Sequence, residues 1–299
     1  MELGILQFIQ KLGSGFFDLF FCAFSILGES LIIIALVPLV YWCIDKATGE
    51  EVALDVFSGC YVNYLLKGIV ARARPVATHE SELRRAKYDY FYDSLKHDGA
   101  YLTESFPSGH SQVSASFYSG IVYRKGFKKL WWLLILPVMV ALSRVYLGVH
   151  WPTDVLAGLA IGFGVSAVIH VCLKMSRKKT LLIMPIVASA LMFFNFLGNV
   201  EFKQLMMTLI MLALIWGGCL GIIVEQKYVE FSTNDVKWWM RVLRLPIGLV
   251  AVGICAGIVF LPFWVLDVDK YIALVPVAFT AAFAMMTAAP LTFKMFRLI

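Results

Sequence analysis

Long apolar runs alternate with short polar breaks along almost the whole chain. Runs near the roughly 20 residues that a helix needs to cross a bilayer core fall at about 29–44, 52–71, 109–123, 130–149, 153–173, 180–197, 204–224, 246–265 and 272–292. This spacing predicts an all-α polytopic membrane helical bundle with about nine transmembrane helices. Residues 1–28 read differently. Gln7, Gln10, Lys11 and Asp18 are spaced among Leu, Ile and Phe, and Gly13, Gly15 and Gly28 interrupt the run. That pattern suits an amphipathic helix lying in the membrane interface, with the start of a long first span as the alternative. The one long polar segment runs from Arg72 to Pro107. Residues 226–245 predict a cytoplasmic loop whose short interfacial helix carries Trp238 and Trp239.

Composition agrees with this pattern. The 299 residues are 60% hydrophobic and only 15% charged, where soluble domains carry about 25% charged residues; the mean hydropathy is +0.79. The N-terminal stretch lacks the basic region and small-residue cleavage site of a signal peptide, so it is expected to stay in the mature chain. The six cysteines are scattered through apolar segments with no CxxC pair, which fits packing residues better than a metal or disulfide role.

The net charge of +6 does not point to nucleic acid, because its basic residues sit in short loops. Arg124, Lys125, Lys128 and Lys129 form one cluster, and Lys174, Arg177, Lys178 and Lys179 form a second. Lys227, Lys237, Arg241 and Arg244 form a third, with Lys294 and Arg297 near the C-terminus. Nine alternating spans put all of them on one face, which the positive-inside rule makes cytoplasmic. The N-terminus, the 72–108 segment and residues 143–154 then share the opposite face.

Three polar islands fall on that opposite face. In KGIVARARP, Lys67 and Arg74 are seven apart, so on a helix they share a side and can reach one anion. Pro75 ends the helix, since it disfavours helical geometry in the residue before it. Arg72 reads as a snorkelling residue reaching for headgroups. In FPSGHSQ, Ser108 can cap the following helix and Gly109 allows close backbone approach. The first-turn N–H groups beside His110 make an anion site, although Ser-Gly-His alone is more often a plain cap. In SRVYLGVHWPTD, Arg144 can clamp phosphoryl oxygens through its planar fork. His150 and Asp154 are four apart around Pro152, a spacing that lets a carboxylate fix the tautomer of the imidazole. Two histidines, three strong cations, a hydroxyl and a helix N-terminus on one membrane face describe phosphoryl transfer through histidine.

These islands resemble the three signature motifs of the type 2 phosphatidic acid phosphatase superfamily. K-x6-R-P appears as Lys67…Arg74-Pro75, P-S-G-H as Pro107-Ser108-Gly109-His110, and S-R-x5-H-x3-D as Ser143-Arg144…His150…Asp154. The segment LGESLIIIALVPLVYWCIDKATG is similar to the first span of bacterial members related to sphingosine-phosphate phosphatases. The resemblance implies that His150 attacks phosphorus, that Asp154 orients it, and that His110 protonates the leaving alkoxide and then activates water. It implies that Lys67, Arg74, Ser108, Gly109 and Arg144 hold the phosphate oxygens. No metal or other cofactor is expected, since the donors can carry the charge a metal would.

The expected organisation is an interfacial region 1–28, a phosphatase core 29–179 holding the first five spans, and a C-terminal four-helix membrane extension 180–299. The expected substrate is a lipid phosphate monoester of the phosphatidic acid, phosphatidylglycerophosphate or sphingoid-base phosphate type. Undecaprenyl diphosphate is the alternative by the same mechanism. A membrane transporter or flippase is the alternative from another class, and it would need charges or broken helices at the midplane. A haloperoxidase shares the anion pocket but is typically soluble, and a non-catalytic lipid-binding scaffold would not need both histidines. The expected location is a bacterial plasma membrane, with the site on the extracellular or periplasmic side and the C-terminus inside. Tyr88, Tyr90, Phe91, Tyr92 and Tyr101 suit either a lid over the site or an aromatic belt.

Overall fold

The computed structural model describes residues 1–85, 96–97, 100–101, 104–197, 200–234 and 236–298. It is a helical bundle, and the one sheet among the described residues is a two-residue ladder pairing Lys96–His97 with Ala100–Tyr101. Tyr88, Tyr90, Phe91 and Tyr92 lie outside the described residues.

The N-terminal region forms two helices, α1 (Glu2–Gln10) and α2 (Gly15–Leu27), bent by 120°. Ser14 starts α2 by accepting a hydrogen bond from Phe17 N. Next come α3 (Ser30–Pro38), which continues as a π-helical stretch to Ile44, and α4 (Lys46–Val70). Asp45 caps α4 through Thr48 N at 2.8 Å. Ala71, left-handed at φ 46°, ends it, so the chain leaves the helix just after Lys67. Ser108 caps α5 (Gly109–Lys125). After it follow α6 (Ile135–Tyr146) and the long α7 (Pro152–Leu191). The C-terminal part comprises α8 (Phe202–Val224), α9 (Trp238–Val265), α10 (Lys270–Met286) and α11 (Ala288–Met295).

Among the described residues, five helices are long and apolar enough to cross a membrane: Phe127–Tyr146, Pro152–Asn195, Phe202–Val229, Trp238–Val265 and Lys270–Met295. The bent α1–α2 pair would make a sixth if it were one span. This is fewer than the nine spans expected, and the reasons are physical. α4 carries Glu50, Glu51, Asp55 and Lys67, each of them buried by the bundle. α5 has only 17 residues and is rich in serine. Its hydroxyls turn back onto backbone carbonyls, Ser114 to His110 O at 2.7 Å and Ser119 to Ala115 O at 2.6 Å. Both helices are sheathed by neighbours, so apolarity is not what holds them in place. The expected spans 153–173 and 180–197 merge into α7, which is interrupted by non-helical geometry at Ser176 (φ −163°, ψ 97°).

The core is a seam of α4, α5 and α7 with apolar side chains from α8 and α10 around it. Glycines set its closest approaches. A methyl group on Gly158 would come 2.6 Å from Ser108 O, and one on Gly162 would come 2.4 Å from Gln112 O. α7 and α5 therefore meet backbone to backbone. At the far end of the bundle, ion pairs join the segments that the sequence marks as basic: Lys46–Glu225, Lys125–Asp45 and Arg177–Glu50. Buried Arg244 donates to Leu298 O, Trp42 O and Ser232 O there, fastening the chain end to α3's extension.

Candidate active site

All eight residues singled out from the sequence lie at the end of the bundle opposite that basic cluster. Lys67 stands in the last turn of α4, buried, and donates to Glu104 O. Arg74 precedes Pro75 and the short helix Pro75–Thr78. It is buried, donates to Val149 O at 3.0 Å, and reaches His150 Nε2 at 3.1 Å. Burial pushes its guanidinium down to about 10.

His150 sits in the turn between α6 and α7. Gly148 there has φ +75°, a left-handed conformation that glycine adopts without strain. The turn folds the ring back under the N-terminus of α7. His150 is 2% exposed, and burial holds its pKa well below the ordinary imidazole range, with the cations Arg74, Arg144 and Lys67 and the nearby His110 acting in the same direction. The ring is therefore neutral. Arginine can only donate, so the Nε2 it faces is the unprotonated nitrogen and Nδ1 carries the hydrogen.

Nδ1 faces Asp154, but the two do not bond directly. The separation from Nδ1 to Asp154 Oδ2 is 3.6 Å, too long for a hydrogen bond. Ser105 fills the gap, with Oγ 3.4 Å from Nδ1 and hydrogen-bonded to the same Oδ2. Asp154 also accepts from Trp151 N at 2.8 Å and from Arg72 Nη1 at 2.9 Å. Arg72 is thus no snorkelling residue: it ties Asp154, Thr153 and Glu2 together and lies over the Trp151 ring.

The other motif residues complete the pocket. Ser108 accepts from Ser111 N, and its own N–H donates to Asp154 O at 3.0 Å, which locks the start of α5 onto α7. A methyl group on Gly109 would meet Asn63 Oδ1 at 3.4 Å. Asn63 in turn holds Pro107 O at 3.2 Å and Gln112 Oε1 at 2.9 Å. His110 Nε2 lies 2.9 Å from Glu29 Oε2. Arg144, in the last turn of α6 and 2% exposed, donates to Ser25 Oγ. The N-terminal helices thus form one wall of the site. Gln10 donates to Tyr146 O and Arg84 O at 3.0 Å, and Asp18 pairs with Arg84 at 2.7 Å.

Sequence reasoning missed Ser105, Glu29, Asn63 and Gln112 and misjudged Arg72. The three histidines left out of the site stay apart from it: His170 bonds Glu51 in the bundle, His79 stacks edge-on against Trp151, and His97 lies on the short ladder. Among the described residues, no group of three or more His, Cys, Asp or Glu side chains could hold a metal ion.

The family model for the PAP2 superfamily matches residues 52–178, and the model for the PAP2 superfamily phosphatase transmembrane extension matches residues 209–299. The chain carries a PAP2 superfamily domain followed by the superfamily's phosphatase transmembrane extension. All three motifs fall within the first matched stretch, and α8 to α11 make up most of the second. The chain is 34% identical over 112 residues to a lipid A 1-phosphatase of Rhizobium etli, 36% of this chain and 42% of that protein. It is 40% identical over 78 residues to phosphatidylglycerophosphatase B of Bacillus subtilis, 23% of this chain and 37% of that protein. It is 26% identical over 167 residues to lipid phosphate phosphatase delta of Arabidopsis thaliana, 52% of this chain and 38% of that protein. The chain therefore spans less than half the length of these curated relatives. No solved structure matches it. The transmembrane extension and the apolar helices make it an integral membrane protein.

Proposed function

We propose that this PAP2 protein is a lipid phosphatase that hydrolyses a lipid phosphate monoester through a phosphohistidine on His150. The observation that carries this reading is the His150 ring itself, held neutral with Nε2 toward Arg74 and Nδ1 toward Ser105 and Asp154. In the first step Nε2 attacks phosphorus, the N–P bond forms, and the bond to the lipid oxygen breaks. His110 gives its proton to the departing alkoxide. Water then attacks the phosphohistidine, the N–P bond breaks, and His110 takes the proton from water. Lys67, Arg74 and Arg144 offset the charge on the three equatorial oxygens, and Ser108, with the first N–H groups of α5 at Gly109, completes the cradle. Asp154, acting through Ser105, stabilises the charged ring.

The relatives' names support a lipid headgroup as substrate. The tail has a path as well. The two limbs of α7 enclose apolar cavities of about 370 and 420 Å³ that share Val168, Ile169, Met184 and Val187. Their lining reaches up to Ile161 and Val62, a few helical residues from Asp154 and Lys67. From Ile161 to Met175 the rise is ~21 Å at 1.5 Å per residue, more than the ~15 Å depth of one leaflet. That length favours a long acyl chain, and it keeps the alternative reading, an undecaprenyl diphosphate phosphatase, in contention.

Residues 29–179 form the phosphatase core and 180–299 the membrane extension in this reading, supported by the extents of the two family matches. Nine crossings follow if α3 with its π extension, α4 and α5 cross inside the bundle and the two limbs of α7 cross separately. The break at Ser176 and the groove shared by both limbs support that count. The ion-paired basic end lies inside and the site outside.

Phosphate release by the detergent-purified protein from phosphatidic acid, phosphatidylglycerophosphate, sphingoid-base phosphate and undecaprenyl diphosphate tests the proposal. Activity is expected on at least one of these, unchanged by chelator and abolished in a folded His150→Ala variant. A His150→Ala protein with normal turnover would overturn it.

A further inference from the structure

Glu29 occupies the N-cap position of α3, far in sequence from every signature motif, yet its Oε2 lies 2.9 Å from His110 Nε2. The contact bridges 81 residues, so helix geometry alone does not produce it. The histidine's hydrogen bond draws the Glu29 carboxyl below the usual carboxylate range, and the charge of Arg144 adds to this. The carboxylate is thus ionised and faces His110 from one side, with Arg144, Arg74 and His150 on the others.

Stability gives little reason for the pair. The side chain of Glu29 is 31% exposed, and ion pairs open to solvent contribute little to folding. Catalysis gives a reason. Buried beside Arg144 and Arg74, His110 is a poor proton carrier, because burial and both guanidinium charges disfavour the imidazolium form. An acid–base group must be protonated when the alkoxide leaves and must accept a proton when water attacks. A carboxylate on its far nitrogen supports both duties, as it fixes the ring and stabilises the cation.

We propose that Glu29 is a positioning residue for His110: its carboxylate holds the Nε2 proton and sustains the imidazolium that protonates the leaving alkoxide. This rests on the phosphatase reading above. In the first step the proton on the ring's other nitrogen, Nδ1, passes to the lipid oxygen as the P–O bond breaks and the N–P bond to His150 forms. In the second, that nitrogen takes the proton of the attacking water as the N–P bond breaks. Glu29 stays ionised throughout and gains or loses no proton.

The leaving group separates this role from a structural one. An aryl phosphate expels a stable phenolate that needs no proton, whereas a lipid alkoxide does. Single-turnover rates are measured for p-nitrophenyl phosphate and for a short-chain phosphatidic acid in wild type, Glu29→Gln and Glu29→Asp. In Glu29→Gln the lipid rate is expected to fall roughly 10- to 100-fold, up to the low end of a whole acid–base contribution of about 10²–10⁴-fold, while the first-turnover aryl rate stays within about twofold. Glu29→Asp is expected to recover part of the lipid rate. Equal loss on both substrates, or loss on neither, overturns the proposal.

A readout independent of turnover guards the result. In ¹⁵N-histidine spectra of the full chain in detergent, His110 Nε2 is expected to be the protonated nitrogen in wild type and to lose that fixed tautomer in Glu29→Ala. An unprotonated Nε2 in wild type would refute the pairing even if the protein hydrolysed none of the lipids. Inactivity with the tautomer intact would instead count against the phosphatase reading alone.

Discussion

His150 Nδ1 and Asp154 Oδ2 stand 3.6 Å apart, with the hydroxyl of Ser105 set between them. The carboxylate therefore acts on the imidazole through a third side chain. Nδ1–H points to Ser105 Oγ, and Ser105 O–H points to Asp154. A serine in this place transmits orientation and charge from the acid to the ring.

Removing that hydroxyl should be costly without being fatal. Ser105→Ala is expected to lower kcat about tenfold, the effect of ~1.4 kcal/mol of lost transition-state stabilisation, with KM little changed. Steady-state kinetics on a short-chain lipid phosphate would check it. A variant as slow as His150→Ala would mean that Ser105 touches the reacting group itself.

The pH dependence follows from the neutral ring. A nucleophilic imidazole must be unprotonated, and burial with the surrounding cations holds His150 well below its ordinary value of about 6.5. Activity limited by this group is thus kept as pH falls through that value and lost only at lower pH. Arg74→Gln removes one cation, raises the His150 pKa, and should move the acid limb of kcat/KM to higher pH. The substrate's own second ionisation, near pKa 6, is common to both proteins, so it cancels when the two profiles are compared.

The backbone contact between α5 and α7 gives a packing prediction. In Gly158→Ala the new methyl would sit 2.6 Å from Ser108 O, and a backbone oxygen held in a helix cap does not move cheaply. A loss of about 1–3 kcal/mol is expected from such overpacking, seen as a lower Tm in detergent together with reduced turnover. Gly164→Ala, where a methyl meets nothing within 4 Å, is the control. It should hold or slightly raise stability through helix propensity.

The groove between the limbs of α7 predicts a chain-length effect. Gly164 lines it, with open space around the missing side chain. Gly164→Trp should raise KM for a long-chain lipid phosphate several-fold and leave a dioctanoyl analogue nearly unaffected. Gly253→Trp, at another open position on α9, should alter neither. Equal effects on both chain lengths would remove the tail from this groove.

Much of the site was legible in the sequence because its parts are local. The offset from His150 to Asp154 is fixed by turn geometry, so its spacing survives in the linear chain. Lys67 and Arg74 do meet at the site, but not on one helix face as expected, because α4 ends at Val70 and Arg74 comes from extended backbone before Pro75 starts a new helix. Ser105 and Glu29 were not legible for the opposite reason. Each reaches its partner across tens of residues, and nothing adjacent in sequence distinguishes it from a loop serine or a helix-capping acid. Arg72 was misjudged because a basic residue at a helix end has two outlets, headgroups or carboxylates, and only the fold shows Asp154 and Glu2 within its reach. The helical class was clear from apolarity. The number of spans was not, because α4 and α5 are held by neighbours that bury their polar faces, and apolarity alone does not report that.

The hydrogen bond from Ser108 N to Asp154 O, together with the glycine contacts below it, has a bearing on how a bulky headgroup enters. It rivets the helix that carries His110 to the helix start beside His150, so neither can swing away from the other. What can move without touching that contact is the Arg84–Asp18 pair, which clasps by its side-chain tips; the Arg72–Glu2 pair cannot, because Arg72 also bonds Asp154. The spacing between the two histidine scaffolds can thus hold while the Arg84–Asp18 clasp opens and closes.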